Sequence, residues 1–152
     1  MALQLASRDS PKIFLATAEA LDQEMMDRIR KHKSERSDDW ITLEEPVFLA
    51  QAFNEHSTET LVVDCITLWL SNLLMRSYDQ QKIEAEIAQV CRALRARSAP
   101  TIVVTNEVGM GIVPEHASGR LFRDLAGMAN QRIAEMADRV IFMVSGLPVY
   151  LK

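Results

Sequence analysis

The stretch Thr101–Glu115, TIVVTNEVGMGIVPE, decides how this sequence is interpreted. Its start, Thr101 to Thr105, is a short apolar run rich in β-branched side chains, which predicts a buried strand. The run leads into Asn106 and Glu107, and a loop with two glycines and a proline follows. In α/β sheets, ligands lie beyond the carboxyl ends of strands, so the stretch predicts a site-lining loop. The alternative is a crossover turn that binds nothing.

Three more apolar runs have the same character, and helical patterns lie between them. The runs are Ile13 to Ala16, Leu61 to Cys65 and Val140 to Val144, with Val149 to Lys152 predicted as a last edge strand. The helical patterns are Leu21 to Lys33, Pro46 to about Asn54, Ile83 to Leu94 and Leu121 to Met136. None of the runs alternates cleanly, as expected of parallel strands covered on both faces. The order predicts an α/β fold with a mainly parallel sheet.

Polar or flexible residues lie at the end of each predicted strand. They are Thr17, Asp64, Asn106 with Glu107, and Ser145 with Gly146. Because the carboxyl ends of parallel strands meet at one edge of a sheet, we expect these residues to converge there.

Size and composition indicate one globular domain over residues 1–152, with 48% hydrophobic and 25% charged residues. The net charge of -4 argues against a nucleic-acid partner, which would require a broad basic surface. The two cysteines, Cys65 and Cys91, are too few for a disulfide framework and are predicted to be free thiols. No apolar run reaches the roughly 20 residues of a membrane span. We therefore expect a cytoplasmic protein.

Asp64 is a candidate ligand-binding residue because it ends a buried apolar run. In phosphate-handling α/β proteins, a carboxylate there holds a magnesium ion or a nucleotide hydroxyl. The alternative is that Asp64 caps the amino terminus of the next helix.

The basic segment Arg28–Arg36, RIRKHKSER, contains His32 among several cations. Nearby cations disfavour protonation of a histidine, which leaves it neutral and nucleophilic near pH 7. The same cations would neutralise an attacked phosphate. The alternative is a solvated helix end whose cations complement the helix dipole. His56 and His116 lie in polar stretches and are expected at the surface, whereas both tryptophans are expected in the core or in subunit contacts.

Four stretches, taken in order, resemble the bifunctional adenosylcobinamide kinase/adenosylcobinamide-phosphate guanylyltransferases of cobalamin assembly. They are FLATAEALDQEMMDRIRKHKSERSDDW, LVVDCITLWLSNLL, VVTNEVGMGIVPE and RLFRDLAGMANQRIAEMADRV, and they cover most of the chain from Ile13 to Lys152. The resemblance implies a RecA-like, P-loop-type three-layer α/β fold. It implies GTP and/or ATP as substrates with Mg²⁺, adenosylcobinamide as the corrinoid partner, and a homo-oligomer, commonly a trimer.

The implied chemistry has two steps. The hydroxyl of adenosylcobinamide is phosphorylated, and GMP then moves from GTP to that phosphate through a histidine–GMP intermediate, giving adenosylcobinamide-GDP. The resemblance assigns the nucleophile to His32. It assigns nucleotide contacts to Thr17, Ala18, Glu19, Lys33, Ser34, Glu35, Arg36, Glu44 and Asp64. Ser34 and Glu35 depart from the Asp-Gly often found in the family, and no metal ligand set is assigned.

Members of this family open with a strand and a GGxRSGKS phosphate loop, whereas this sequence opens at MALQLAS, inside the helix that follows. We expect the first strand and the phosphate loop to be absent, either through a misplaced start or through true truncation. Loss of that central strand would leave its neighbours unpaired and weaken GTP handling. The alternatives are a non-catalytic binding or assembly subunit with the same fold, and an unrelated α/β ATPase.

Overall fold

The fold is built on a sheet of four parallel strands. The computed structural model describes residues 1–6, 12–20, 22–34, 36–37 and 39–152. The strands are β1 (Lys12–Ala16), β2 (Trp40–Glu44), β3 (Thr60–Asp64) and β4 (Thr101–Val104), in the spatial order β2-β1-β3-β4. The parallel pairing confirms the predicted fold class.

Six helices accompany the strands in the described residues. They are α1 (Ala2–Leu5), α2 (Gln23–Ser34), α3 (Leu49–Glu55), α4 (Ile66–Met75), α5 (Gln80–Ala96) and α6 (Ala117–Met136). The spacing of Ile83, Ile87 and Val90 places one face of α5 in the core, as the sequence pattern predicts. The short helix expected from Pro46 begins three residues later, at Leu49. No helix in the described part of the chain is long and apolar enough to cross a bilayer.

The two faces of the main sheet have different surroundings. One face contributes Ile13, Leu15, Leu61 and Val63 to a core that includes Trp69 of α4 and Leu125 of α6. The other face presents Phe14 and Val62, which pack with Ala6. The large core fixes α4 and α6 against the sheet, and thereby fixes the loops at the carboxyl ends of the strands.

Strand β2 was not predicted from the sequence. Its segment, WITLE, lies at the edge of the sheet, and Ile41 is 61% exposed. An edge strand with one solvent-facing side does not need a continuous apolar run, so the pattern used for the other strands could not identify it.

The last two strands form a separate antiparallel hairpin. They are β5 (Ile141–Val144) and β6 (Leu147–Tyr150), and within the described strands they pair only with each other. Ser145 and Gly146 are the turn between them, and both have positive φ angles. The expectation that these two residues join the other strand ends at one edge of the main sheet is therefore wrong, since they close a hairpin. The last strand also ends two residues before Lys152.

Candidate functional site

Strand register aligns the predicted site residues at the carboxyl edge of the main sheet. Ala16 pairs with Glu44 on one side and with Asp64 on the other, and Asp64 pairs with Val104. The residues that follow these positions, including Thr17, therefore emerge at the same edge. This is the edge at which α/β proteins bind their ligands.

Thr17 joins the ends of β1 and β3. Its backbone N–H donates to the carbonyl of Asp64 at 3.0 Å. Its hydroxyl donates to the carbonyl of Cys65 at 2.9 Å and accepts from the N–H of Cys65 at 2.7 Å. Because Thr17 is fully buried, these bonds fix the backbone that immediately follows the Asp64 side chain.

Arg36 approaches Asp64 on the Phe14 face of the sheet. Val62 and Asp64 share a face because alternate residues of a strand do, and Val62 pairs with Phe14. The Arg36 guanidinium lies 3.9 Å from the centre of the Phe14 ring. Burial lowers the pKa of Arg36, and the negative charge of Asp64 acts in the opposite sense.

The donors of Arg36 are only partly used. Its Nη2 donates to Thr42 Oγ1 at 3.2 Å, while its buried Nε has no hydrogen-bond partner among the described residues. A buried donor without a partner costs free energy, and an acceptor supplied by a ligand would remove that cost. The arrangement thus places a cation, whose buried donor is unpaired within the described part of the chain, on the same face of the sheet as the Asp64 carboxylate.

Asp64 does not cap α4. The N-cap position belongs to Cys65, which makes no side-chain capping bond. The alternative role considered for Asp64 is therefore wrong, because the helix begins one residue too late for it. No cluster of three or more His, Cys, Asp or Glu residues suited to a metal ion occurs in the part of the chain that is described. Magnesium bound through nucleotide phosphates needs only one or two carboxylates, which Asp64 fits.

Asn106 and Glu107 fasten the loop that follows β4. The Asn106 side chain donates to Thr67 Oγ1 on α4 at 2.8 Å, and the backbone carbonyl of Asn106 accepts from Asn130 Nδ2 on α6 at 3.1 Å. Glu107 Oε1 accepts from the N–H of Gly109 at 2.8 Å. The amide and the carboxylate that end the apolar run thus hold a tight loop at the sheet edge; whether they also touch a ligand stays a prediction.

Glu19 is paired with Arg76, beyond the end of α4. The two guanidinium nitrogens donate to its two carboxylate oxygens, each at 2.7 Å. The hydrogen bonds from Arg76 lower the pKa of Glu19, and the same bonds raise the pKa of Arg76. A bidentate pair of this kind holds Glu19 in one orientation after β1.

Comparison with known proteins identifies the family. A family model described as cobinamide kinase / cobinamide phosphate guanyltransferase matches residues 1–151. The chain belongs to this family. The resemblance seen in the sequence is therefore confirmed, and with it the enzyme class, a transferase of cobalamin biosynthesis.

Three curated relatives agree with the family assignment. The bifunctional adenosylcobalamin biosynthesis protein CobP of Pseudomonas aeruginosa is 42% identical over 141 residues, covering 91% of this chain and 81% of the relative. The CobU protein of Escherichia coli is 36% identical over 162 aligned residues, which cover 97% of this chain and 90% of the relative. The CobU protein of Salmonella typhimurium is also 36% identical, and the alignment covers 95% of this chain and 88% of the relative.

The segment that the family resemblance identifies as catalytic lies at the end of α2. His32 and Ser34 belong to this helix, but their side chains lie outside the described residues, as does Glu35 altogether. Lys33 is exposed. The catalytic role of His32 and the nucleotide contacts of its neighbours remain predictions.

The remaining predicted contacts lie near the strand edge. Ala18 follows Thr17, and Glu44 ends β2, opposite Ala16. The structure also brings in two residues that sequence reasoning missed, Asn72 and Arg76 of the α4 region. Asn72 interrupts the apolar run of α4, and that polar residue in a buried pattern was the available signal.

Proposed function

We propose that this chain transfers GMP from GTP to adenosylcobinamide phosphate through a histidine intermediate, and that it also phosphorylates adenosylcobinamide. The observation that carries the proposal is the placement of Arg36 and Asp64 on one face of the sheet: the Arg36 guanidinium lies 3.9 Å from the centre of the Phe14 ring, and Phe14 pairs with Val62, two residues before Asp64. A guanidinium suits a phosphate oxygen, and a strand-end carboxylate suits a nucleotide hydroxyl or its metal ion. Membership of the cobinamide kinase and guanyltransferase family supplies the two reactions.

In the proposed transfer, a ring nitrogen of His32 attacks the α-phosphorus of GTP. The new N–P bond forms as the bond from that phosphorus to the bridging oxygen breaks, and pyrophosphate leaves with the electron pair. A phosphate oxygen of adenosylcobinamide phosphate then attacks the same phosphorus, the N–P bond breaks, and neutral imidazole is regenerated. Imidazole suits both displacements because it is a good nucleophile and a good leaving group.

In the proposed kinase reaction, the substrate hydroxyl attacks the γ-phosphorus of a nucleoside triphosphate. A P–O bond forms, the nucleoside diphosphate leaves, and the hydroxyl proton passes to solvent or a nearby base. Lys33 and Arg36 are placed by sequence to offset phosphate charge in either reaction. Bound Mg²⁺ would neutralise further phosphate charge, with Asp64 as the carboxylate to hold it. A homotrimeric assembly and a cytoplasmic location belong to the same proposal.

Turnover with the corrinoid tests the proposal. The chain is incubated with adenosylcobinamide phosphate, GTP and Mg²⁺, and corrinoid products are separated by liquid chromatography with mass detection. Adenosylcobinamide-GDP is the expected product, and it should not form with Asp64→Asn at the same enzyme concentration. If the chain binds corrinoid and nucleotide without forming product, the non-catalytic assembly role replaces this proposal.

A further inference from the structure

A continuous set of hydrogen bonds ties α4 to the sheet edge that carries Asp64. Asn72 of α4 is 5% exposed, and its Nδ2 donates to the carbonyl of Thr17 at 2.7 Å. The same nitrogen donates to the carbonyl of Pro46, after β2, at 3.1 Å. One buried amide therefore holds the chain segments that follow two strands, β1 and β2, against a single helix.

From Thr17 the bonds continue to the peptides next to Asp64. Thr17 contacts the Asp64 carbonyl through its N–H, and both the N–H and the carbonyl of Cys65 through its hydroxyl. All of these donors and acceptors are buried or carried by buried residues apart from half-buried Asp64. Buried polar groups that are fully paired set one geometry, because an alternative placement would leave them unsatisfied.

We propose that Asn72 is a positioning residue for Asp64 and acts through Thr17. The inference rests on the proposed function, since it assumes that Asp64 faces the nucleotide. Removing the Asn72 amide would free the Thr17 carbonyl, and the Thr17 bonds around Asp64 would then no longer be fixed from α4. Misplacement of a catalytic carboxylate by about 1 Å can cost roughly 100-fold in rate.

Trp69 provides a matched control on the same helix. Its indole Nε1 donates to the carbonyl of Val47 at 2.8 Å, next to the Pro46 carbonyl that Asn72 bonds. Trp69→Phe removes this anchor of the loop after β2 but leaves every bond to Thr17 in place. Asn72→Ala loses two hydrogen bonds from α4 and Trp69→Phe loses one, so a general loss of stability would affect both variants.

Two measurements test the proposal on the full chain. Hydrogen exchange of the Thr17 and Cys65 amides should be faster in Asn72→Ala than in Trp69→Phe. The maximal rate of GMP-adduct formation from GTP should fall roughly 10- to 100-fold in Asn72→Ala and stay unchanged in Trp69→Phe. The KM for GTP should change much less than that rate. Should Asn72→Ala fail to fold, Thr17→Val is the second variant, and Thr17→Ser should recover most of the lost rate by restoring the hydroxyl.

The outcomes separate this inference from the function on which it rests. Equal exchange and equal adduct rates in Asn72→Ala and Trp69→Phe would overturn the positioning role while leaving the transferase proposal intact. A loss of rate in both variants alike would also overturn it, because that result indicates a structural role only. An unchanged chain that forms no adduct would overturn the proposed function, and the exchange comparison alone would then decide the link from Asn72 to the sheet edge.

Discussion

Replacing Arg97 with alanine should destabilise the fold strongly, although this residue lies far from the proposed chemistry in sequence. Its guanidinium donates to the carbonyls of Phe53 at 3.1 Å and Glu59 at 2.6 Å, and also to the carbonyl of His56. Its Nε donates to Thr101 Oγ1 at 2.7 Å. One side chain thus fastens the connection between α3 and β3 to the start of β4.

The expected loss of unfolding free energy in Arg97→Ala follows from these hydrogen bonds. A hydrogen bond contributes about 1 kcal/mol net, and more when one partner is charged, so three carbonyl bonds amount to about 3 kcal/mol. The bond to Thr101 contributes little more, since the Thr101 hydroxyl keeps the Ala99 carbonyl as a partner when Arg97 is removed. For a chain of this size, a loss of about 3 kcal/mol lowers Tm by roughly 6 to 12 °C. Arg97→Lys should lose about half as much free energy, because a single ammonium reaches fewer of the acceptors.

Urea unfolding followed by tryptophan fluorescence measures this loss of unfolding free energy. Trp69 reports on unfolding because it is buried in the core. Arg95→Ala is the matched control, because Arg95 is an exposed arginine in the last turn of α5, the helix that ends one residue before Arg97. Its effect should remain within about 0.5 kcal/mol. If Arg97→Ala and Arg95→Ala shift the unfolding midpoint equally, the reasoning from the carbonyl bonds is refuted.

Two further predictions concern the sheet edge. The lowered pKa of Glu19 means that its pairing with Arg76 stabilises the fold above the ordinary glutamate value of about 4.3, and that this contribution is lost as pH falls through the lowered pKa. The Tm difference between the unchanged chain and Glu19→Gln should therefore be larger at pH 7 than at pH 3, and an equal difference would contradict the pairing. A Cβ on Gly109 would lie 2.7 Å from Glu107 Oε1, so Gly109→Ala should displace that carboxylate. Hydrogen exchange should then speed up in the loop after β4 while Tm falls by only a few degrees; unchanged exchange would mean that Glu107 does not hold the loop.

Much of the fold could be predicted because β1 and β3 are buried, although β4, which was predicted to be a buried strand, is only half-buried. The runs that became β1 and β3 are continuous and apolar, which is what a parallel strand covered on both faces requires, and β4 at the other edge of the sheet kept an apolar run as well. Edge strand β2 escaped detection because solvent on one side relaxes that requirement. The hairpin of β5 and β6 was only half anticipated, since the chain reversal depends on the positive φ angles of Ser145 and Gly146.

The position of the candidate site was predicted from the sequence, but most of its hydrogen bonds were not. Strand ends identified Thr17, Asp64 and Asn106, because the chemistry of an α/β edge follows from topology. The sequence could not show that the Thr17 side chain hydrogen-bonds to Cys65, or that the Asn106 side chain hydrogen-bonds to Thr67. Such bonds join residues that are distant along the chain, so no local pattern encodes them, and the same is true of Asn72 and Arg76.

The most direct test of the central claim is intact-mass spectrometry of the chain after incubation with GTP and Mg²⁺. The account predicts an acid-labile GMP adduct on the unchanged chain and none on His32→Ala. His116→Ala is the matched control, because His116 is an exposed histidine at the start of α6, and it should be labelled like the unchanged chain. Labelling of His32→Ala to the same extent, or no adduct on the unchanged chain, would contradict the account.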